Sequence, residues 1–196
     1  MNEQIIIHIS GFPGSGKTTL GESISKKFPK LIVYDTDLFI QHHISTGKQL
    51  LQIEKQIDLK RKTIGDYKIA WFNIIKKSID EFIETHPNET IVFVGSLDNW
   101  APPNTIYDIK CSYKFVLDIP LDELMKRYYT RICLENSKVS KASQDYWNKL
   151  SKGIYNISSS DEIISKHKKY NEWHEKHHYE FLSDKEIVKK IKEIIS

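Results

Sequence analysis

The chain has 196 residues, of which 39% are hydrophobic and 28% charged, so it is long enough to bury the core of one globular domain. Its formal net charge of +3 is too small to indicate a nucleic-acid-binding protein by itself. No segment resembles a signal peptide or a membrane span, and Cys111 and Cys133 lack the spacing of metal ligands. We therefore expect a reduced, cytoplasmic protein without a membrane partner.

Short apolar runs alternate along the chain with amphipathic stretches. The β-branched runs lack polar alternation, which is typical of parallel strands buried on both faces. Strands that alternate with helices imply right-handed crossovers and a helical layer on each side of the sheet. Strands are predicted at residues 5–9, 31–34, 91–94, 113–117 and 179–182, and helices at about 17–28, 66–84, 121–128 and 187–195.

These elements predict an α/β fold with three layers, α/β/α, around a five-stranded parallel sheet. We expect one domain over residues 1–196. Within it, residues 37–65 are a candidate acceptor-binding insert, and residues 127–178 are a candidate lid with helical decoration.

A glycine-rich turn separates the first predicted strand from the first helix. It reads Gly-Phe-Pro-Gly-Ser-Gly-Lys-Thr over residues 11–18 and satisfies G-x-x-x-x-G-K-[ST] in the required strand–helix context. Its glycines allow successive N–H groups to form an anion nest at a helix N-terminus. This P-loop predicts nucleoside triphosphate binding, with Lys17 at the β- and γ-phosphates and the Thr18 hydroxyl on Mg²⁺. The predicted nucleotide-binding residues are Gly11, Gly14, Ser15, Gly16, Lys17, Thr18 and Thr19.

Acidic residues follow the second and third predicted strands: Asp35, Asp37 and Asp98. Ligands of parallel sheets bind beyond the carboxyl ends of the strands, so these positions suit an acceptor or a metal ion. One of Asp35 and Asp37 would orient or deprotonate the acceptor hydroxyl, and the other would hold Mg²⁺. The sequence leaves the assignment between them open, and helix capping by Asp37 is the structural alternative.

Together these residues resemble the P-loop kinases that act on nucleoside monophosphates, shikimate and gluconate. Tyr34-Asp35-Thr36-Asp37 is similar to the Asp-x-Asp of shikimate kinases, whose carboxylates serve the metal and the acceptor hydroxyl. Leu117-Asp118-Ile119-Pro120, followed by Arg127 and Arg131, resembles the start of the lid helix in this group. The resemblance implies that both arginines stabilise charge on the transferred phosphoryl group, and their spacing places them on one helix face.

The sequence also departs from these families. Gly95-Ser96-Leu97-Asp98-Asn99 stands where shikimate kinases have a glycine-rich run. Their substrate-binding arginine has no clear match, although Arg61 is a candidate to hold an anionic acceptor. The resemblance therefore implies a Mg²⁺-dependent kinase that uses ATP and a small acceptor, with a nucleotide or nucleoside favoured over a shikimate- or gluconate-like metabolite.

Two further hypotheses stay open. A proline-containing P-loop also occurs in polynucleotide 5′-kinases, and the lysine- and histidine-rich residues 166–178 could bind a nucleic acid, although a solvated lid or surface helix explains them more simply. The histidines of that region are expected to form a surface cluster. An ATP-dependent switch protein that controls a protein partner is the alternative outside catalysis.

Overall fold

A computed structural model gives the fold of the chain and describes residues 4–36, 64–95, 109–127, 130 and 160–196. Its elements, in chain order, are β1 (Ile6–Ser10), α1 (Lys17–Lys27), β2 (Ile32–Asp35), α2 (Ile64–Thr85), β3 (Ile91–Val94), β4 (Tyr113–Leu117), α3 (Ser160–Lys176), β5 (Glu180–Leu182) and α4 (Asp184–Ile194). Residues 121–127 are also helical.

The strands form one sheet in the order β2-β3-β1-β4-β5. The pairs β1–β3 and β2–β3 are parallel, and Ile91 of β3 lies opposite both Ile6 and Ile32. Every residue of β1 and β3 is buried, as expected for strands covered on both faces. The predicted three-layer α/β/α fold around a five-stranded parallel sheet is confirmed.

The chain divides into two compact units. The first comprises Met1–Ser10 and Lys17–Phe115, and the second comprises Gly11–Gly16 and Val116–Ser196. In the first unit, α1 contacts β2 and β3, with Leu20 and Ile24 buried on the packed face of the helix.

The second unit has its own core, to which Phe12 contributes although it belongs to the glycine-rich turn. The buried members of this core are Phe12, Val116, Leu124, Ile163, Tyr170 and Tyr179.

The C-terminal helix α4 starts with a capping box: the Ser183 side chain accepts from the Glu186 N–H, and Glu186 accepts from the Ser183 N–H. Ile187 and Ile191 are its buried residues.

Residues 166–178 are largely exposed or half-buried, but the structure corrects the expectation of a surface cluster for one of their histidines. His174 is 1% exposed, and its Nδ1 donates to the Tyr170 carbonyl at 2.8 Å. Tyr170 is buried as well, because α3 places Ile163, Tyr170 and His174 along one side at helical spacing.

Among the described helices, none combines the length and the apolar character needed to cross a bilayer.

Candidate functional site

The glycine-rich turn leaves β1 and reaches α1 through two residues in left-handed backbone conformations. Gly14 has φ 88° and Gly16 has φ 99°, values that L-residues rarely adopt. The turn is closed by a hydrogen bond of 3.0 Å from the Ser15 N–H to the Phe12 carbonyl. The buried Ser15 Oγ makes no hydrogen bond to another described residue. The motif therefore has the curled backbone that an anion nest requires.

At the carboxyl end of β2, the structure brings Thr18, the predicted Mg²⁺ ligand, next to Asp35, one of the two aspartates that are candidates to hold the same ion. The Thr18 hydroxyl, in the first turn of α1, donates to Asp35 Oδ2 at 3.1 Å. Hydroxyl and carboxylate oxygens are ligands that suit Mg²⁺, directly or through water, so this pair fits the ion that the motif implies. Burial, and secondly the Asp35 charge, raise the pKa of the neighbouring Tyr34 above its usual value.

The carboxyl end of β3 is fixed by residues of the first unit. The buried His8 of β1 donates from Nε2 to the Gly95 carbonyl at 3.0 Å. Gly95 has φ 150°, and a Cβ there would lie 1.8 Å from Thr36 Oγ1. Because Thr36 directly follows Asp35, the ends of β2 and β3 are packed closely together.

In the second unit, Arg127 lies against the backbone of the glycine-rich turn. Its Nη1 donates to the Ser15 carbonyl at 2.9 Å, and its Nη2 donates to Glu123, one helical turn earlier. A Cβ on Gly16 would stand 3.1 Å from Nη1. The predicted lid arginine is therefore held at the phosphate loop of its own unit.

The turn is also anchored by an aromatic residue that the motif leaves unspecified. The ring of Phe12 makes edge-to-face contacts with Tyr170 and His167, at centroid distances of 5.6 and 5.3 Å. Burial, opposed by the Asp118 charge, lowers the pKa of His167. The contacts of Phe12 with Tyr170 and His167, and the pairing of Glu123 with Arg127, were not predicted from the sequence. The available signals were the aromatic inside the motif and the Glu-x-x-x-Arg spacing.

The remaining predicted site residues fall into two groups. The first group is described: Gly11 is buried in the glycine-rich turn, and at the start of α1 Lys17 is partly exposed and Thr19 is exposed. Four others lie outside the described residues, so their roles stay predictions: Asp37, Arg61, Asp98 and Arg131.

The chain is similar in sequence to several kinases. No family model matches the chain. The chain is 27% identical to the cytidylate kinase of Thermococcus kodakarensis over 82% of its own length and 76% of that protein. It is 28% identical to a shikimate kinase of Clostridium botulinum over 85% of its length and 96% of that protein. Human nicotinamide riboside kinase 1 is 28% identical over 65% of each chain.

The fold itself has a solved counterpart. The crystal structure of a shikimate kinase from Bacteroides thetaiotaomicron covers 97% of this chain, and the chain covers 98% of it, with a TM-score of 0.54 and 17% identity. At that identity the likeness concerns the fold. The phosphate loop and the sequence relatives, all of them kinases, lead to one conclusion. The chain is an ATP-dependent phosphotransferase that is similar to cytidylate, shikimate and nicotinamide riboside kinases.

Proposed function

We propose that the chain transfers the γ-phosphate of ATP, with Mg²⁺, to the hydroxyl or phosphate group of a nucleoside or nucleotide. The observation that carries the metal part of this proposal is the 3.1 Å contact between Thr18 Oγ1 and Asp35 Oδ2. It places a carboxylate beside the hydroxyl that follows the phosphate-loop lysine. Thr18 and Asp35 would hold Mg²⁺ here, and the ion would offset negative charge on the phosphates, as in other P-loop enzymes.

The same contact supports different roles for Asp35 and Asp37. Asp35 is engaged with the proposed metal-ligating hydroxyl, which favours Asp35 as the residue that holds Mg²⁺. Asp37 is then the residue that orients or deprotonates the acceptor hydroxyl. In this proposal Lys17, Arg127 and Arg131 offset the charge that develops on the transferred group, and closure of the site against water suppresses hydrolysis.

The choice of a nucleoside or nucleotide acceptor is supported by two relatives. One is named a cytidylate kinase and the other a nicotinamide riboside kinase. The shikimate kinases are relatives too, but this chain lacks their glycine-rich run after β3 and has few arginines for an anionic acceptor. We propose residues 37–65 as the acceptor-binding segment, with Arg61 and Asp98 as contacts, and residues 127–178 as the lid. Within that range, α3 also packs in the core of its unit.

Paired variants test the assignment of the aspartates. Asp35→Asn is expected to raise the Mg²⁺ concentration needed for half-maximal phosphotransfer, because it weakens the ion's site. Asp37→Asn is expected to lower kcat by about 10²-fold at saturating Mg²⁺, as removal of a general base does. Glu22→Gln, an exposed carboxylate on α1, is the matched control and should change neither quantity.

The proposal is wrong about the metal if Asp35→Asn leaves the Mg²⁺ dependence and kcat of the wild type unchanged. It is wrong about the acceptor side if Asp37→Asn retains full kcat. Slow ATP hydrolysis that no nucleoside, nucleotide or small metabolite accelerates would favour a switch protein instead.

A further inference from the structure

The contact between Arg127 and the Ser15 carbonyl involves a peptide group at the centre of the phosphate loop. The amide plane that carries this carbonyl also carries the N–H of Gly16. In a planar trans peptide, the C=O and N–H bonds point in opposite directions. The hydrogen bond of 2.9 Å from Arg127 Nη1 to the Ser15 carbonyl therefore directs the Gly16 N–H away from the guanidinium.

The direction of the Gly16 N–H decides whether the loop can bind phosphate. An anion nest binds phosphate only while its N–H groups converge, and a rotated peptide would present a partially negative oxygen to the phosphate instead. Gly16 has no Cβ and stands at φ 99°, with Gly14 at φ 88°, so the loop sequence offers little steric resistance to such a rotation. The hydrogen bond from Arg127, which lies outside the loop, opposes this rotation.

Burial makes the Arg127 contact more important than a surface hydrogen bond. Ser15 is 2% exposed with Arg127 in place, and its carbonyl accepts a hydrogen bond from the guanidinium. A buried carbonyl without a partner is costly, and that cost would favour other loop conformations. The contact thus stabilises the conformation in which the carbonyl meets the guanidinium.

Glu123 holds the guanidinium in place. It accepts a hydrogen bond from Arg127 Nη2, and the pair has the i, i+4 spacing on helical residues 121–127. The side chains of Glu123 and Arg127 are 45% and 44% exposed, and an arginine so exposed has many rotamers in the absence of a partner. The two contacts use two of the five N–H donors of the guanidinium.

We propose that Glu123 and Arg127 are positioning residues of the nucleotide site: they lock the Ser15–Gly16 peptide in the orientation that binds phosphate. The inference rests on the proposed binding of ATP by this loop and extends it to residues in the helix at 121–127. It gives Arg127 a role before chemistry begins, in addition to any effect on the transferred phosphoryl group.

The direction in which one substitution changes the affinity for MgADP separates a positioning role of Glu123 from a simple effect of its charge. Removing a carboxylate near a polyphosphate should strengthen nucleotide binding by charge alone. If Glu123 positions the arginine, Glu123→Gln should instead weaken binding of MgADP, by about tenfold. Asp122→Asn is the matched control, since it removes the same charge from the adjacent exposed position. It should leave the affinity unchanged or slightly higher.

The measurement is the Kd for MgADP by isothermal titration calorimetry, together with KM for ATP, kcat and the Tm of each variant. Glu123→Gln should raise Kd and KM in parallel, with a Tm close to that of wild type. In an Arg127→Gln background, Glu123→Gln should add no further loss, because it acts through the arginine. Arg127→Lys should bind ADP more weakly than wild type, since a single ammonium cannot make both contacts in this geometry.

The inference is overturned if Glu123→Gln binds MgADP as tightly as Asp122→Asn, or if its effect persists in full without Arg127. A wild-type chain that binds no MgADP would instead refute the proposed nucleotide site on which the inference depends. The two failures are thus distinguishable by the wild-type titration.

Discussion

Gly95 ends β3 at a position where the structure has no room for a side chain. A Cβ at this residue would lie 1.8 Å from Thr36 Oγ1 and 3.0 Å from Thr36 Cβ. Thr36 cannot turn away easily, because it is fully buried and its hydroxyl lies 3.4 Å from the Val94 carbonyl. The backbone of Gly95, at φ 150°, is also one that L-residues disfavour.

Two terms set the magnitude expected for Gly95→Ala. Holding a residue with a Cβ in a sparsely populated backbone region costs about 1–3 kcal/mol. Forcing an additional carbon into a packed site costs another ~1–3 kcal/mol, because the neighbours must move. The substitution should therefore lower the free energy of unfolding by about 2–6 kcal/mol, a large part of the ~5–15 kcal/mol typical of a domain.

Urea unfolding followed by circular dichroism measures this loss, and two further variants divide it. Thr36→Ala removes the hydroxyl that the new Cβ would strike. In that background Gly95→Ala should cost about 1–3 kcal/mol less, while the backbone term remains. Gly21→Ala is the matched control: its Cβ would meet Val94 Cγ2 at 3.3 Å, and the gain in helix propensity of about 1 kcal/mol opposes that contact.

The reasoning is refuted if Gly95→Ala unfolds within about 0.5 kcal/mol of wild type, the range of an ordinary surface substitution. It is also refuted if the loss is the same with and without the Thr36 hydroxyl. The first result would show that neither the backbone conformation nor the overlap with Thr36 destabilises the variant. The second would show that the overlap with Thr36 does not.

Three other perturbations have defined outcomes. Thr18→Val should lower kcat by about 30-fold, or ~2 kcal/mol of barrier, while Thr18→Ser keeps the hydroxyl and most of the rate in a coupled ADP-release assay. Because burial lowers the pKa of His167, the folded chain binds this proton less readily than the unfolded chain, so the free energy of unfolding should decrease as the pH falls through 6.5. His167→Gln should flatten that decrease in urea titrations at pH 7 and pH 5, and an unchanged slope would contradict it. Ser183→Ala removes the α4 cap and should cost about 1 kcal/mol of unfolding free energy, whereas no loss in the same assay would show that the capping box is unimportant.

The fold could be predicted from the sequence because the spacing of apolar residues along the chain matches their burial in the structure. The run Ile5–Ile9 predicted a buried strand, and the structure begins β1 one residue later, at Ile6, and ends it at Ser10. The third and fourth strands have the predicted bounds, Ile91–Val94 and Tyr113–Leu117, because they are short apolar runs next to turn-forming residues. The phosphate loop could also be recognised from the sequence, since its residue types follow from the chemistry of phosphate binding.

Side-chain partners were less predictable, because they depend on packing between distant segments. Composition suggested a solvated helix at residues 166–178, but helical spacing buries Tyr170 and His174 on the same side. The arginine at 127 was identified from its resemblance to lid residues, and only the structure shows that it contacts the Ser15 carbonyl. Thr18 was predicted to ligate Mg²⁺ and Asp35 was one of two aspartates proposed for the same ion; the structure shows the two residues in contact, and their role in binding the metal stays a prediction.

The central claim is that this P-loop supports phosphotransfer to a small acceptor, and an acceptor panel tests it most directly. Purified protein with Mg²⁺-ATP is incubated with nucleosides, nucleoside monophosphates, shikimate, gluconate and 5′-hydroxyl oligonucleotides, and ADP release is followed. We predict strong acceleration by a nucleoside or nucleoside monophosphate, and loss of that acceleration in Lys17→Ala. Acceptor-independent release across the panel, or full acceleration in Lys17→Ala, would contradict the account.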